Sequence, residues 1–81
     1  MSEERQIWCK IVGEALRRRR LALGQTLEDV GIAVGASAAS VSSWERGEVT
    51  LSAFWHSKLI AYFEAEFAKL PKSKRSAKVS A

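Results

Sequence analysis

The stretch from Thr26 to Gly47, T-L-E-D-V-G-I-A-V-G-A-S-A-A-S-V-S-S-W-E-R-G, constrains the fold of this 81-residue chain more than any other. It reads as two short helices joined by a tight turn. Thr26 followed three residues later by Asp29 has the spacing of a capping box, with the shorter Asp in the place of Glu. Glu28 and Asp29 suit the positive end of a helix dipole. Leu27, Val30 and Val34 then recur at helical spacing, Gly31 stands where another backbone can approach closely, and Gly35 is the left-handed residue that ends the helix. The first helix is therefore expected over residues 27–34.

Ser37 is a good N-cap for the second helix, which has Val41 and Trp44 as its buried stripe and stops near Gly47. The other face carries Ala38, Ala39, Ser42, Ser43 and Arg46, small side chains and one cation. Small exposed residues are ordinary, and paired helices of this kind occur in proteins that bind no nucleic acid. The stretch alone leaves both readings open.

These residues resemble the helix-turn-helix of phage Cro and repressor proteins and their bacterial relatives. The resemblance runs from Ile11 to Phe63, through G-E-A-L-R-R-R-R-L-A-L-G, T-L-E-D-V, G-A-S, V-S-S-W-E-R-G and L-I-A-Y-F. It implies an all-α, lambda-repressor-like domain of about five helices, whose second paired helix lies in the major groove while the preceding one crosses the backbone. Ser37, Ala38, Ala39, Ser42 and Ser43 then fall at base-facing and phosphate-facing positions, and Thr26 falls where helix-start groups meet phosphate. The sequence departs from the family pattern at Leu27, where Gln often holds a phosphate, and at Gly31, where Ala is usual. Leu27 cannot make that contact, which leaves it to Thr26 or a backbone N–H.

The expected recognition face is poor in the long polar side chains that discriminate bases by about 1–3 kcal/mol per bidentate pair. Only Arg46, at the far end, is of that kind. Either Ala38 and Ala39 sit against thymine methyls while Ser42 and Ser43 bond bases or phosphates at short reach or through water, or the helix no longer reads DNA.

Residues 1–24 read as one long helix, with Ser2 as a cap, Glu3 and Glu4 in the first turn, and Ile7, Trp8, Ile11, Val12, Ala15, Leu16 and Leu23 as an apolar stripe. It starts upstream of the resemblance, so Ile7 and Trp8 need something extra to bury against, and a long C-terminal helix is the candidate. Arg17 to Arg20 complement the dipole at its end. The resemblance pairs Arg20 with Glu45 in a structural salt bridge and leaves Arg17 for phosphate. It also brings Thr50 and Ser52, in the loop after the second helix, toward the DNA backbone; Ser52 reads equally as a helix cap.

From Ser52 to Leu70 the pattern is helical and unusually apolar, with Phe54, Trp55, Leu59, Ile60, Tyr62, Phe63, Phe67 and Leu70 too widely spread for one face. A surplus of exposed aromatics on a chain this small marks an interface. A homodimer is expected, with Phe63, Phe67 and Leu70, joined by Ile7 and Trp8, near its axis. The alternative is that this surface only buries the lengthened first helix.

Residues 1–70 are read as one domain and 71–81, P-K-S-K-R-S-A-K-V-S-A, as a disordered basic tail. Nine Lys and Arg balance nine Asp and Glu in residues 1–70, so the net charge of +4 lies in Lys72, Lys74, Arg75 and Lys78. The folded part is formally neutral, and the tail is either a non-specific clamp on DNA or only solubilising. A chain this short has room for one small core and none for a ligand-sensing domain, so no small-molecule effector is expected. The single cysteine, Cys9, excludes an internal disulfide and reads as a small buried apolar residue. With no signal peptide and no apolar run of membrane-spanning length, no membrane partner is expected and the location is read as cytoplasmic. His56 is isolated beside Trp55, no metal-ligand spacing occurs, and no glycine-rich loop follows a strand pattern, so neither catalysis nor a cofactor or metal is expected. The functional expectation is a double-stranded DNA-binding transcriptional regulator, most simply a repressor acting as a homodimer on an inverted repeat. The competing one is a protein-interaction module that kept the fold and lost the DNA.

Overall fold

In the computed structural model, which describes residues 3–71, the chain forms four helices and, among those residues, no strand. They are α1 (Glu3–Ala22), α2 (Leu27–Val34), α3 (Ala38–Glu45) and α4 (Ala53–Ala68). The count is four rather than the expected five. Between Ala53 and Ala68 there is neither Gly nor Pro, and apolar residues recur without a gap, so nothing divides that stretch. α1 stops short of Gly24, which takes φ +69° in the turn that follows. The Ser2 cap and the basic tail from Lys72 onward lie outside the described residues. α4 gives way at Lys69, ahead of Pro71, whose ring disfavours the helical conformation in the residue before it.

The central pair is closed by caps at every end. Thr26 Oγ1 accepts from Asp29 N at 3.0 Å while Asp29 Oδ2 accepts from Thr26 N at 2.9 Å, so both halves of the box form despite the shorter acid. Gly35, at φ +83°, lets its own N–H and that of Ala36 both reach Gly31 O at 2.8 Å. Lys58 Nζ, from α4, donates to Val34 O at 2.9 Å and takes up another carbonyl at the same end. Ser37 Oγ accepts from Ser40 N at 3.0 Å and opens α3; Ser52 Oγ accepts from Trp55 N at 3.3 Å and opens α4.

Each helix gives the core one or two side chains: Leu16 from α1, Val30 and Val34 from α2, Val41 and Trp44 from α3, Leu59 and Phe63 from α4. Withdrawing one such side chain from water is worth about 1.5–3 kcal/mol, so α2 and α3, eight residues each, are held mainly by this packing. The Trp44 and Trp55 rings, 5.2 Å apart between centroids, tie α3 to the start of α4.

Two glycines set how closely the helices approach. A Cβ at Gly31 would stand 2.6 Å from Ala36 O, so a side chain there would push the turn off α2. A Cβ at Gly13 would stand 2.5 Å from Glu45 O and would overlap Trp44 O as well, so Gly13 is what seats the end of α3 on α1. Gly47 (φ +70°) lies against the Lys10 backbone just beyond.

Two burial expectations are corrected. Ile7, Trp8 and Ile11 are more than half exposed, because the first turns of α1 meet the rest of the domain through Cys9 and Val12 and α4 does not cover them. Phe63, expected near a dimer axis, is 2% exposed and belongs to the core. Trp55, Tyr62 and Phe67 also pack against that core, so most of the aromatic surplus of α4 is used inside the molecule.

Gly13→Ala and Gly31→Ala should each destabilise the domain by about 1–3 kcal/mol, since the neighbour that must yield is backbone. Thermal unfolding followed by circular dichroism should show midpoints lowered by roughly 4–8 °C per kcal/mol. An unchanged midpoint for Gly13→Ala would mean that α1 and α3 are not in this contact.

Candidate nucleic-acid interface

α3 is the element with a small-residue face turned from the core. Val41 and Trp44 point inward; Ala39 and Arg46 are exposed, and Ala38, Ser42 and Ser43 are half-buried along the flanks. This follows from the sequence, since apolar residues three apart on a two-turn helix define one buried side and leave the opposite side to whatever remains.

The helix is held at its far end by an ion pair. Arg20 Nε donates to Glu45 Oε2 at 2.7 Å and Nη2 to Glu45 Oε1 at 3.0 Å, a two-pronged contact between side chains 11% and 6% exposed. Nη1 of the same guanidinium donates to Gln25 O at 2.9 Å, so one arginine joins α1, the α1–α2 turn and the last residue of α3. Its pKa lies above the ordinary arginine value, raised chiefly by the hydrogen bond to Glu45 and opposed by burial. A group raised in this way contributes its stabilisation at every pH below its ordinary value and loses it only as the pH climbs through the raised one. The pair is therefore intact from its arginine side at all physiological pH.

The remaining candidate residues are less free than the sequence suggests. The Ser37 hydroxyl, besides accepting from Ser40 N, donates to Ser40 Oγ at 3.0 Å. Arg46 is engaged with Glu48 by two contacts of 3.0 Å, both side chains being more than half exposed. Such a pair is worth about 0–1 kcal/mol and gives way readily to a phosphate. Thr26 uses its backbone N–H and its hydroxyl oxygen in the capping box, and Glu28 and Asp29 place two carboxylates beside it. Thr50 Oγ1 lies 3.9 Å from the thiol of buried Cys9. Arg17 is exposed on α1.

A family model described as a helix-turn-helix domain matches residues 11–66. The chain belongs to the helix-turn-helix domain family. No curated protein and no solved structure gives a significant match. The matched span runs from the middle of α1 almost to the end of α4, so the helix-turn-helix pair, α2 and α3, sits inside the matched region with both helices that buttress it. Among the described residues, no helix is long and apolar enough to cross a membrane, and no group of His, Cys, Asp and Glu is placed to hold a metal ion.

Gln25 and Gly13 position this helix-turn-helix and were missed in the sequence. The side-chain carbonyl of Gln25 accepts from the Tyr62 hydroxyl while its backbone carbonyl accepts from Arg20, which pins the entry to α2 against both α1 and α4. The link to Tyr62 carries no local sequence signal, since Tyr62 lies 37 residues further on.

Removing one member of the Arg20–Glu45 pair strands the other in a nearly dry site. Arg20→Met and Glu45→Leu should each cost about 3–5 kcal/mol, and the double variant clearly less than the sum. Urea denaturation of the four proteins reads the coupling; strict additivity would mean that the two side chains stabilise the fold independently.

Proposed function

We propose that this domain binds double-stranded DNA through α3 laid in the major groove and acts as a transcriptional regulator, most simply a repressor. The observation that carries the reading is the uncovered small-residue face of α3 on a helix fixed by Arg20 and Glu45. Short side chains let the helix sit deep in the groove, with Ala38 and Ala39 against thymine methyls and Ser42 and Ser43 bonding base edges or phosphates directly or through water. Arg17, Arg46, Thr26 and Thr50 are assigned to the backbone, where contacts set position rather than sequence. Specific affinity would come from local asymmetry, because residues 1–70 are formally neutral. The basic residues from Lys72 to Lys78 would add a sequence-independent clamp.

In the finer form of the proposal the protein resembles Cro and phage repressors and acts in the cytoplasm as a homodimer. Two α3 helices enter successive major grooves of an inverted repeat, about 34 Å apart, and exclude polymerase by occupying the site.

A second reading is supported by two observations: the carboxylates of Glu28 and Asp29 at the start of α2, where phosphate would approach, and the Glu48 carboxylate beside Arg46. Both favour a helix-turn-helix that serves a protein partner. Binding to duplexes selected from random sequence separates the two.

Ala39→Glu and Ser43→Glu put a carboxylate on the α3 face without touching the core. Each should weaken binding to a selected duplex at least about a hundredfold, roughly 3 kcal/mol, with helical content and unfolding midpoint unchanged. Unaltered binding removes α3 from the mechanism. Deleting residues 72–81 should weaken binding to all duplexes alike and flatten the dependence of log K on log salt, as loss of phosphate contacts requires. A changed sequence preference would instead assign base contacts to those residues.

A further inference from the structure

We infer that the solvent face of α1 is a self-association surface, on which a second copy of this chain packs α1 against α1 in antiparallel orientation. The inference deepens the homodimer proposal above and rests on it only for its consequence on DNA.

Cys9, Gly13 and Leu16 are the residues by which α1 meets the core. Helical geometry places Ile7, Ile11 and Arg18 on the opposite pole. Apolar residues at the solvent pole reverse the ordinary pattern of a surface helix, and Ile7 and Ile11 are 53% and 59% exposed. Spaced by four, Ile7, Ile11 and Ala15 form one ridge; Lys10, Glu14 and Arg18 form the next, and an open groove lies between them. A ridge and a groove of the same pitch side by side are self-complementary, since a two-fold axis near Ile11 seats the ridge of each copy in the groove of the other.

Charge selects both the occupant and its direction. Glu3 and Glu4 begin α1, while Arg17, Arg18 and Arg19 stand toward its end. Parallel copies would stack like on like. Antiparallel copies bring the acidic start of each α1 to the basic end of the other, with Glu4 opposite Arg18 of the second copy about an axis near Ile11, and oppose the two helix dipoles. The Glu14–Arg18 contact within one chain, 3.3 Å between side chains 52% and 78% exposed, is weak enough to be exchanged.

The same geometry keeps the recognition helix clear. α3 is seated on the Gly13 and Arg20 side of α1, away from Ile11, so pairing through Ile7 and Ile11 leaves the small-residue face of α3 uncovered. α4 is the weaker alternative, because its aromatics are largely spent on the core. A face about 24 Å long along one helix belongs to the small interfaces, below about 1,200 Å² in total, so the pair should be concentration-dependent.

The test is sedimentation equilibrium of the full chain without DNA, beside disulfide trapping. Ile11→Glu should raise the dimer dissociation constant at least about tenfold. Arg18→Glu should also weaken the dimer, and adding Glu4→Arg to it should restore association. Under mild oxidation Ile11→Cys should cross-link to its own copy while Leu21→Cys should not, since an axis near Ile11 puts the two positions 21 about 30 Å apart. A chain that stays monomeric at all concentrations overturns the inference, as does a dimer that survives Ile11→Glu and dissociates with Phe67→Asp. Half-site duplex binding is measured in parallel on wild type, Ile11→Glu and Ala39→Glu. Half-site binding by a wild-type chain that shows no self-association overturns α1 pairing and leaves DNA recognition standing. α1 cross-linking in a chain that binds no duplex upholds this inference and ends that reading.

Discussion

The Arg20–Glu45 ion pair is the contact on which the rest of this domain depends. α3 has eight residues and buries two of them, too little to fix its own direction. Hydrophobic packing is non-directional; a forked guanidinium against a carboxylate is directional, and here the fork is also bonded to the Gln25 carbonyl just ahead of α2. Gly13 makes the pair reachable by letting the carbonyls of Trp44 and Glu45 settle on the α1 backbone. For the proposed DNA binding a rigid α3 would matter, because a face of alanines and serines can reach a base edge only if its backbone is already in place.

That face also decides what kind of recognition is open to the protein. Long side chains can search for a partner across several ångströms; Ala39 and Ser43 cannot. In the proposed reading, shape fit, methyl contact and bridging water would have to carry selectivity, while affinity would be drawn from a few cations in a formally neutral body. Arg46, the long cation just past the end of α3, is shared with Glu48, and Thr26 stands among the acids of its own cap. The domain would thus bind with little non-specific attraction of its own, and the charge that lies past Pro71 would have a correspondingly larger part.

The apolar surface is distributed differently from what a helical wheel suggests. Counting apolar residues makes α4 the excess element, yet it supplies Leu59 and Phe63 to the core and packs Trp55, Tyr62 and Phe67 around it. Phe54 at the start of α4 and Ile32 on α2 are left singly in water, whereas the cluster left in water is at the start of α1, where Ile7, Trp8 and Ile11 extend beyond the cover of α4. Which of two amphipathic helices is left over depends on how they cross.

The two paired helices, their caps and their buried valines were legible in the residues, because capping, turn conformation and helical periodicity act over four or five positions. The partnership of Arg20 with Glu45 was legible only through resemblance to a family, since nothing local links residues 25 apart. The approach of α3 to Gly13, the hold of Tyr62 on Gln25, the burial of Phe63 and the exposure of Ile7 and Ile11 were not legible. Each depends on where helices distant in sequence cross, and a crossing is chosen by the packing of all four together. Sequence alone determined which segments are helical and which sides are apolar; the tertiary structure decided which apolar sides meet one another and which are left facing water.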